Sequence, residues 1–325
     1  MGAVDQRDGL DQDHRPVAVA LRALGLGDLL TAVPALKALR TALPEHRLLL
    51  ATSAWLAPVV ALLPGEVRLL PTVGLAGPLP LARGSVDVAV NLHGNGPQSR
   101  AIVDALGARL TITHALPGEA GTAWRPESSE RERWVRLLQE AGMPGDPDDV
   151  RIQAPAEPPQ VAGAAVVHVG AAFGSRRWPV ERFAAVARAL AGAGLPVVFS
   201  GGAEDMSRAR QAAVLAGLPE ERVLAGRQPL GAFAALVAAA RVVVSADTGA
   251  GHLASAFGSP SVVLFGPASP EQWGPPPGPH IALTDARVRA GDIFGDEPDP
   301  ALLAVSVADV LAALARLGVL PPSPS

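Results

Sequence analysis

Short apolar runs alternate with longer amphipathic stretches along most of this chain. The runs are rich in valine, leucine and alanine, which is typical of strands buried on both faces of a parallel sheet. They lie at residues 17–21, 48–51, 67–70, 87–92, 110–113, 165–169, 196–200, 222–224, 241–245 and 261–265. Stretches with helical spacing lie at residues 29–43, 55–62, 98–106, 131–141, 180–191, 205–215, 230–239 and 302–317. Strands that alternate with helices predict an α/β protein with mostly parallel sheets.

A stretch rich in proline and aspartate, from Pro144 to Pro159, interrupts this alternation before it starts again. The 325 residues of the chain are too many for one ordinary core and suit two domains. We therefore predict a disordered tail at 1–15 and two α/β domains, at 16–155 and 156–300. A C-terminal helix and tail follow at 301–325.

Composition excludes several classes of protein. The net charge of −4 and the pI of about 6.0 predict no nucleic-acid partner. The chain has no cysteine, hence no disulfide and no thiolate metal site, which fits the cytoplasm. No apolar run reaches the roughly 18 residues of a membrane span, so we predict no integral membrane segment. The opening residues 1–15 are polar and acidic, unlike a signal peptide.

The most informative stretch follows the run at 241–245 and reads Asp247-Thr248-Gly249-Ala250-Gly251-His252. Aspartate and threonine are helix-capping residues, and the two glycines let a ligand approach the backbone closely. The N–H groups and positive end of the following helix favour a phosphate. His252 falls in the first helical turn. From this stretch alone, a phosphate site and an ordinary capped turn are both open.

A second turn, Gly25-Leu26-Gly27-Asp28, follows the first apolar run. The dinucleotide-binding fingerprint would require a third glycine at position 30, which is leucine, so a nicotinamide cofactor is not expected. Asp28 has two interpretations. It is a helix cap, or it is a carboxylate at a strand end that acts as a general base.

Three further turns follow predicted strands. Arg176 and Arg177 suit a diphosphate or flank a helix start in solvent. The turn Ser200-Gly201-Gly202 suits an anion or is a plain loop. Asn91 and His93 end the fourth strand, where a lone histidine is more often structural. No His, Asp or Glu grouping has metal-ligand spacing, so we predict no metal site.

These motifs together resemble the glycosyltransferase 9 (heptosyltransferase) family. Two stretches carry the resemblance: Leu21 to Leu36, and Asp247 to Ala254 continuing to Leu264-Phe265-Gly266-Pro267. The stretches Arg176-Arg177-Trp178-Pro179 and Asn91 to Gly96 are similar to the family too, and the order along the chain matches.

The resemblance implies a GT-B fold, with two Rossmann-like domains facing each other across a cleft. It implies an acceptor in the N-terminal half, a nucleotide sugar in the C-terminal half, and no metal or cofactor. Asp28 is then the general base. The implied donor-binding residues are Arg176, Ser200, Gly201, Gly202, Asp247, Thr248, Gly249, Ala250, Gly251 and His252. Those implied on the acceptor side are Gly25, Gly27, Thr31, Asn91 and His93.

We therefore predict an inverting, metal-independent transferase that moves a heptose-like sugar from a nucleoside diphosphate. ADP-heptose is the expected donor, and the acceptor is a glycan, a lipid-linked molecule or a small molecule, as in lipopolysaccharide biosynthesis. We expect a cytoplasmic protein, with peripheral association at the inner face of the membrane left open. The alternatives are a nucleotide-sugar epimerase and a non-catalytic nucleotide- or glycan-binding protein on a GT-B scaffold.

Overall fold

The structure, a computed structural model, describes residues 14–321 and contains two parallel β-sheets of five strands each. The predicted tail at 1–15 lies almost entirely outside the described residues. The strands are β1 (Val17–Leu21), β2 (Arg47–Thr52), β3 (Arg68–Pro71), β4 (Val88–Asn91), β5 (Leu110–Ile112), β6 (Ala165–His168), β7 (Val197–Ser200), β8 (Val242–Ala246), β9 (Ser261–Leu264) and β10 (His280–Leu283).

The contacts between residues divide the chain into two units. Within the described residues, unit 1 comprises 14–24, 35–124 and 134–145, and unit 2 comprises 25–34, 125–133 and 146–321. The short segments 25–34 and 125–133 therefore group with unit 2, although the chain enters them from unit 1. The functional domain boundaries predicted at residues 15, 155 and 300 stay a prediction.

Unit 1 has the strand order β3-β2-β1-β4-β5, with every neighbouring pair parallel. The central strand β1 is buried along its whole length, because valine, alanine and leucine fit a sheet covered on both faces. Its core includes Val19, Leu21, Leu49, Ala89 and Val103. The order reverses between β1 and β4, and ligands bind at such a switch point, beyond the carboxyl ends of the strands.

Unit 2 has the strand order β10-β9-β8-β6-β7, again parallel throughout. Its core packs the strands between helices and includes Val167, Phe183, Phe199, Val244 and Leu314. Here the order reverses between β6 and β8, so the predicted Arg176 and Asp247 turns both follow the strands at the switch point.

The described residues contain twelve α-helices. They are α1 (Leu26–Thr31), α2 (Val33–Ala42), α3 (Ala57–Val60), α4 (Pro97–Ala105), α5 (Glu130–Glu140), α6 (Val180–Gly192), α7 (Met206–Ala216), α8 (Leu230–Ala238), α9 (Gly249–Phe257), α10 (Pro270–Trp273), α11 (Pro300–Ala304) and α12 (Val307–Arg316). Short 3₁₀ turns span Ala54–Leu56, Gly174–Arg176, Glu220–Arg222 and Ala286–Val288.

Two helices predicted as continuous are broken. The helix predicted at 29–43 divides at Ala32, because Pro34 has no N–H to continue the hydrogen-bond ladder. The helix predicted at 302–317 divides at Val305, whose backbone is extended. Ser306 and Asp309 cap the second part with a Ser-x-x-Asp pattern that the sequence displays.

The strand predicted at 222–224 is wrong. Glu220–Arg222 forms a 3₁₀ turn, and Val223 makes only an isolated bridge to Phe199. The edge strand β10 was not predicted, because it is short and only partly buried. The α/β class with parallel sheets is confirmed, and none of the helices within residues 14–321 is long and apolar enough to cross a bilayer.

Candidate functional site

The first turn of α9 lies directly behind the buried strand β8. Thr248 is the residue before the helix, and its Oγ1 accepts a hydrogen bond from the Ala250 N–H (3.4 Å). This cap agrees with the sequence, since a run of valines ends in threonine and glycine. The positive end of this nine-residue helix therefore opens at the carboxyl end of the sheet, where an anionic ligand is stabilised.

Asp247 lies between Arg176 and His252. Its side chain is 6% exposed, with Oδ2 3.7 Å from Arg176 Nη1 and Oδ1 3.7 Å from His252 Nε2. Both separations are longer than a hydrogen bond, so they are electrostatic contacts rather than closed pairs. Asp247 thus has a guanidinium on one side and an imidazole on the other.

Arg176 is held by a loop that the sequence did not connect with the site. Ser175 N donates to Gly295 O (2.8 Å), and Asp299 N donates to Ser175 O (3.0 Å). Gly174 has no room for a side chain, because a Cβ there would lie 1.5 Å from Asp296 O. The backbone before Arg176 is therefore clamped by residues 295–299, and this support lies more than 100 residues further along the chain.

The side chains of the two neighbouring arginines lie in different places. Arg177 turns away from Asp247 and donates from Nε to Ala171 O (3.3 Å). It lines a separate cavity of about 430 Å³ together with Glu181 and Arg208. Of the pair read from the sequence, the structure brings only Arg176 to Asp247.

The turn Ser200-Gly201-Gly202 already holds a carboxylate of its own. Gly202 N donates to Asp205 Oδ2 (2.9 Å), and a Cβ on Gly201 would lie 2.7 Å from Asp205 Cβ. Burial raises the pKa of Asp205 above its ordinary value. Ser200 Oγ lies 2.9 Å from His168 Nδ1. The hydrogen bonds of this turn are therefore internal, and donor binding by these three residues stays a prediction.

Asp28 is the third residue of α1 rather than the residue that caps it. Its Oδ2 accepts from Gly25 N (3.2 Å), and its own carbonyl accepts from Thr31 Oγ1 (2.9 Å). The carboxylate thus satisfies one of the N–H groups that a helix start leaves open. Gly27 brings this helix against α9, because a Cβ on Gly27 would lie 2.9 Å from His252 Cδ2.

Asn91 and His93 lie at the switch point of unit 1 and bond to their own neighbours. Asn91 is fully buried, donates from Nδ2 to Ser99 Oγ (3.0 Å) and accepts from His93 N (3.0 Å). His93 Nδ1 accepts from Ala23 N (3.2 Å). These contacts fix the loop after β4, and acceptor binding by either residue stays a prediction.

A small cavity beside Asp247 adds residues that the sequence did not indicate. Its volume of about 10 Å³ suits one water molecule. Its walls include Phe265 and Trp273 together with Asp247, Thr248, Gly251, His252, Ser255, Val263 and Pro275. Trp273 ends α10, whose Ser269 cap and Pro270 start are visible in the sequence. Within residues 14–321, no group of three His, Asp or Glu side chains has the arrangement of a metal site.

Two Rossmann-like units of parallel sheet, each covered by helices, define a protein with the GT-B glycosyltransferase fold. A glycosyl transferase family 9 structure from Veillonella parvula superposes with a TM-score of 0.75 at 21% identity, over 94% of this chain and 97% of that one. The ADP-heptose lps heptosyltransferase II of Escherichia coli gives 0.71 at 20% identity, over 93% and 98%. The predicted fold is confirmed.

The family profile of glycosyltransferase family 9 (heptosyltransferase) matches residues 138–285, which confirms the predicted resemblance over that range. The chain is 38% identical over 108 residues to lipopolysaccharide heptosyltransferase 2 of Salmonella typhimurium, covering 31% of this chain and 30% of the relative. It is 36% identical over 113 residues to lipooligosaccharide heptosyltransferase 2 of Haemophilus influenzae, covering 33% and 32%. The aligned segment thus spans about a third of the length of these relatives.

Proposed function

We propose that this protein is an inverting, metal-independent glycosyltransferase that moves a heptose-like sugar from ADP-heptose to an acceptor hydroxyl. The observation that carries the proposal is the group of Arg176, Asp247 and His252 around the start of α9, at the switch point of unit 2. The names of the relatives supply the donor and the sugar.

The donor diphosphate binds at the start of α9. Arg176 and the N–H groups of the helix start face the phosphates. Asp247 orients Arg176 and, with His252, contacts the sugar. As the bond from the sugar to the diphosphate breaks, negative charge grows on the leaving ADP. Fixed positive groups that already face that position lower the barrier.

Asp28 removes the acceptor proton. The acceptor oxygen attacks the anomeric carbon of the sugar from the face opposite the diphosphate, and its proton passes to the Asp28 carboxylate. The electron pair of the broken sugar–oxygen bond leaves with ADP, so the configuration at the anomeric carbon is inverted. General-base catalysis of this kind contributes about 10²- to 10⁴-fold.

The acceptor is a glycan or a lipid-linked glycan. Because the relatives are named for lipopolysaccharide and lipooligosaccharide, we propose an acceptor of that class, met at the inner face of the membrane by peripheral association. Flotation of the purified protein with vesicles, with and without heptose-deficient lipopolysaccharide, tests this part. Flotation only with the acceptor supports it, and no flotation in either case contradicts it.

The first experiment is calorimetric titration with ADP, GDP and UDP in the absence of metal. Selective binding of ADP supports the proposed donor site, whereas folded protein that binds none of the three contradicts the proposal. Incubation with ADP-heptose and heptose-deficient lipopolysaccharide then tests the reaction, with the mass of the lipopolysaccharide measured before and after. Both results should be unchanged by EDTA, and an absolute requirement for a divalent cation would overturn the mechanism.

A further inference from the structure

Helices α1 and α9 meet at their first turns through two glycines. A Cβ on Gly27 would lie 2.9 Å from His252 Cδ2, and a Cβ on Gly249 would lie 2.9 Å from Leu26 Cδ2. Cβ atoms essentially never approach other atoms closer than 3.0 Å, so an alanine at either position forces a shift. Glycine at each position therefore leaves room for a side chain of the other helix, which an added methyl group would displace.

The contact is reciprocal. Leu26 projects from α1 onto the backbone at Gly249, and His252 projects from α9 onto the backbone at Gly27. Each helix thus supplies one bulky side chain and one glycine. Two such pairs fix both the separation and the rotation of the helices, since packed side chains interdigitate with few voids.

This packing explains why residues 25–34 group with unit 2. Asp28 follows Gly27 directly, so the helix that carries the proposed base rests on the helix that carries the proposed donor site. Both reacting ends of the transfer reaction are carried by unit 2. Their separation is then a property of the contact between α1 and α9.

We propose that Leu26, Gly27 and Gly249 are positioning residues that set the distance from the Asp28 carboxylate to the donor sugar. The proposal rests on the function above for the roles of Asp28 and α9. None of the three needs to contact a reacting atom. A displacement of about 1 Å between reacting groups can cost on the order of 10²-fold in rate, so the effect of a methyl group here is measurable.

The test compares Gly249→Ala, Leu26→Ala and the double variant. Alanine keeps the N–H at position 249, so we expect Gly249→Ala to change ADP affinity by less than about threefold. We expect it to lower kcat for transfer from ADP-heptose to heptose-deficient lipopolysaccharide by about tenfold or more. The double variant should recover most of this loss, because removing the Leu26 side chain makes room for the added methyl group. Gly192→Ala is the matched control, since a Cβ there meets no atom within 4 Å.

Two outcomes overturn the proposal. The first is a double variant as slow as Gly249→Ala, and the second is a loss of ADP affinity that parallels the loss of kcat. If the wild-type protein neither binds ADP nor transfers sugar, the function above is wrong. Urea unfolding of the wild type, the two single variants and the double variant still tests the contact, because Leu26→Ala should relieve the destabilisation caused by Gly249→Ala. Additive effects on unfolding would show that the two residues do not pack as inferred.

Discussion

The two units place polar residues at equivalent points of similar sheets and use them differently. At the switch point of unit 1, Asn91 and His93 bond to Ser99, to Ala23 and to each other, and Asn91 is fully buried. At the switch point of unit 2, Asp247 holds Arg176 and His252 at 3.7 Å each, too far for hydrogen bonds.

The two switch points therefore differ in their local bonding. In unit 1, Asn91 uses hydrogen bonds to Ser99 and His93 to fix the loop after β4, and acceptor binding there stays a prediction. In unit 2, Arg176 and Asp247 lie near each other without closing a hydrogen bond, so Asp247 does not occupy the N–H donors of Arg176. At the carboxyl ends of the strands, polar side chains therefore fix a loop in unit 1 and form the proposed donor site in unit 2.

The strongest test of this contrast removes the proposed base. Asp28→Asn should lower the rate of sugar transfer by about 10²- to 10⁴-fold, because the amide cannot accept the acceptor proton. ADP affinity should change little, since the donor site is built from α9 and Arg176. Rate measurements at saturating ADP-heptose, with calorimetry of ADP, check both parts. Transfer at the wild-type rate would show that Asp28 serves only to bond Gly25 N.

The next test exploits the divergence of two adjacent arginines. Arg176→Gln should weaken ADP binding by about tenfold or more, because a cation facing the diphosphate is lost. Arg177→Gln is the matched control, since Arg177 bonds to Ala171 O and lines another cavity. Calorimetric titration of both variants with ADP measures the two affinities. Equal losses would mean that the two arginines bind the diphosphate together.

Substitution of Asn91 in unit 1 should lower the stability of the protein, whereas substitution of Arg176 in unit 2 should weaken ADP binding. Asn91→Ala removes one buried and one partly buried hydrogen bond and leaves the Ser99 hydroxyl and the His93 N–H without this partner. We expect the free energy of unfolding to fall by about 1–3 kcal/mol. Urea unfolding measures this loss, and calorimetry should show unchanged ADP affinity. A large loss of ADP affinity with full stability would contradict the structural role.

Acid should act on His168 in unit 2 and on Asp87 in unit 1 over different pH ranges. Burial lowers the pKa of His168 in unit 2 from 6.5 to about 4. The unfolded chain therefore takes up a proton at this residue near pH 6.5, before the folded protein does. The free energy of unfolding is therefore not reduced by His168 above about pH 6.5, and it falls as the pH is lowered from 6.5 to 4. His168→Gln should reduce the slope in this range by up to about 1.4 kcal/mol per pH unit, measured by urea unfolding at several pH values.

Asp87 in unit 1 provides the comparison. Its hydrogen bonds with Arg109 and His46 lower its pKa from 3.8 to about 2. The stabilisation is therefore present above about pH 4 and is lost as the pH falls to 2. Asp87→Asn should reduce the pH dependence of the unfolding free energy between about pH 4 and pH 2, measured by urea unfolding. An unchanged slope in that range would contradict the assignment.

Much of the secondary structure could be predicted, because strands buried on both faces and amphipathic helices leave clear patterns in the sequence. The predictions of secondary structure were wrong where a helical or apolar pattern was interrupted by a proline, a helix cap or a turn. Pro34 divided one long helix and the Ser306 cap divided another. Val223 is apolar yet joins the sheet by one bridge only, since a turn closed by the hydrogen bond from Arg227 N to Leu224 O follows it directly.

The candidate site was predicted in part. The turn from Asp247 to His252 was found, because strand, cap and glycines are contiguous. The support of Arg176 by Gly295 and Asp299 was not, because it joins segments more than 100 residues apart. For the glycine turn at 200–202 the sequence left an anion site and a plain loop open, since a capping residue such as Asp205 and a ligand-binding loop have the same residue types.

The sequence by itself determined the alternation of strands and helices, the glycine-rich turns and the resemblance to glycosyltransferase family 9. These are local properties, set by the periodicity of side chains and the conformations open to each residue. The tertiary structure alone decided that Arg176 and not Arg177 faces Asp247, that Asn91 is buried, and that α1 rests on α9. Such choices depend on which distant backbone fills the space beside a side chain, and no local pattern in the sequence carries that information.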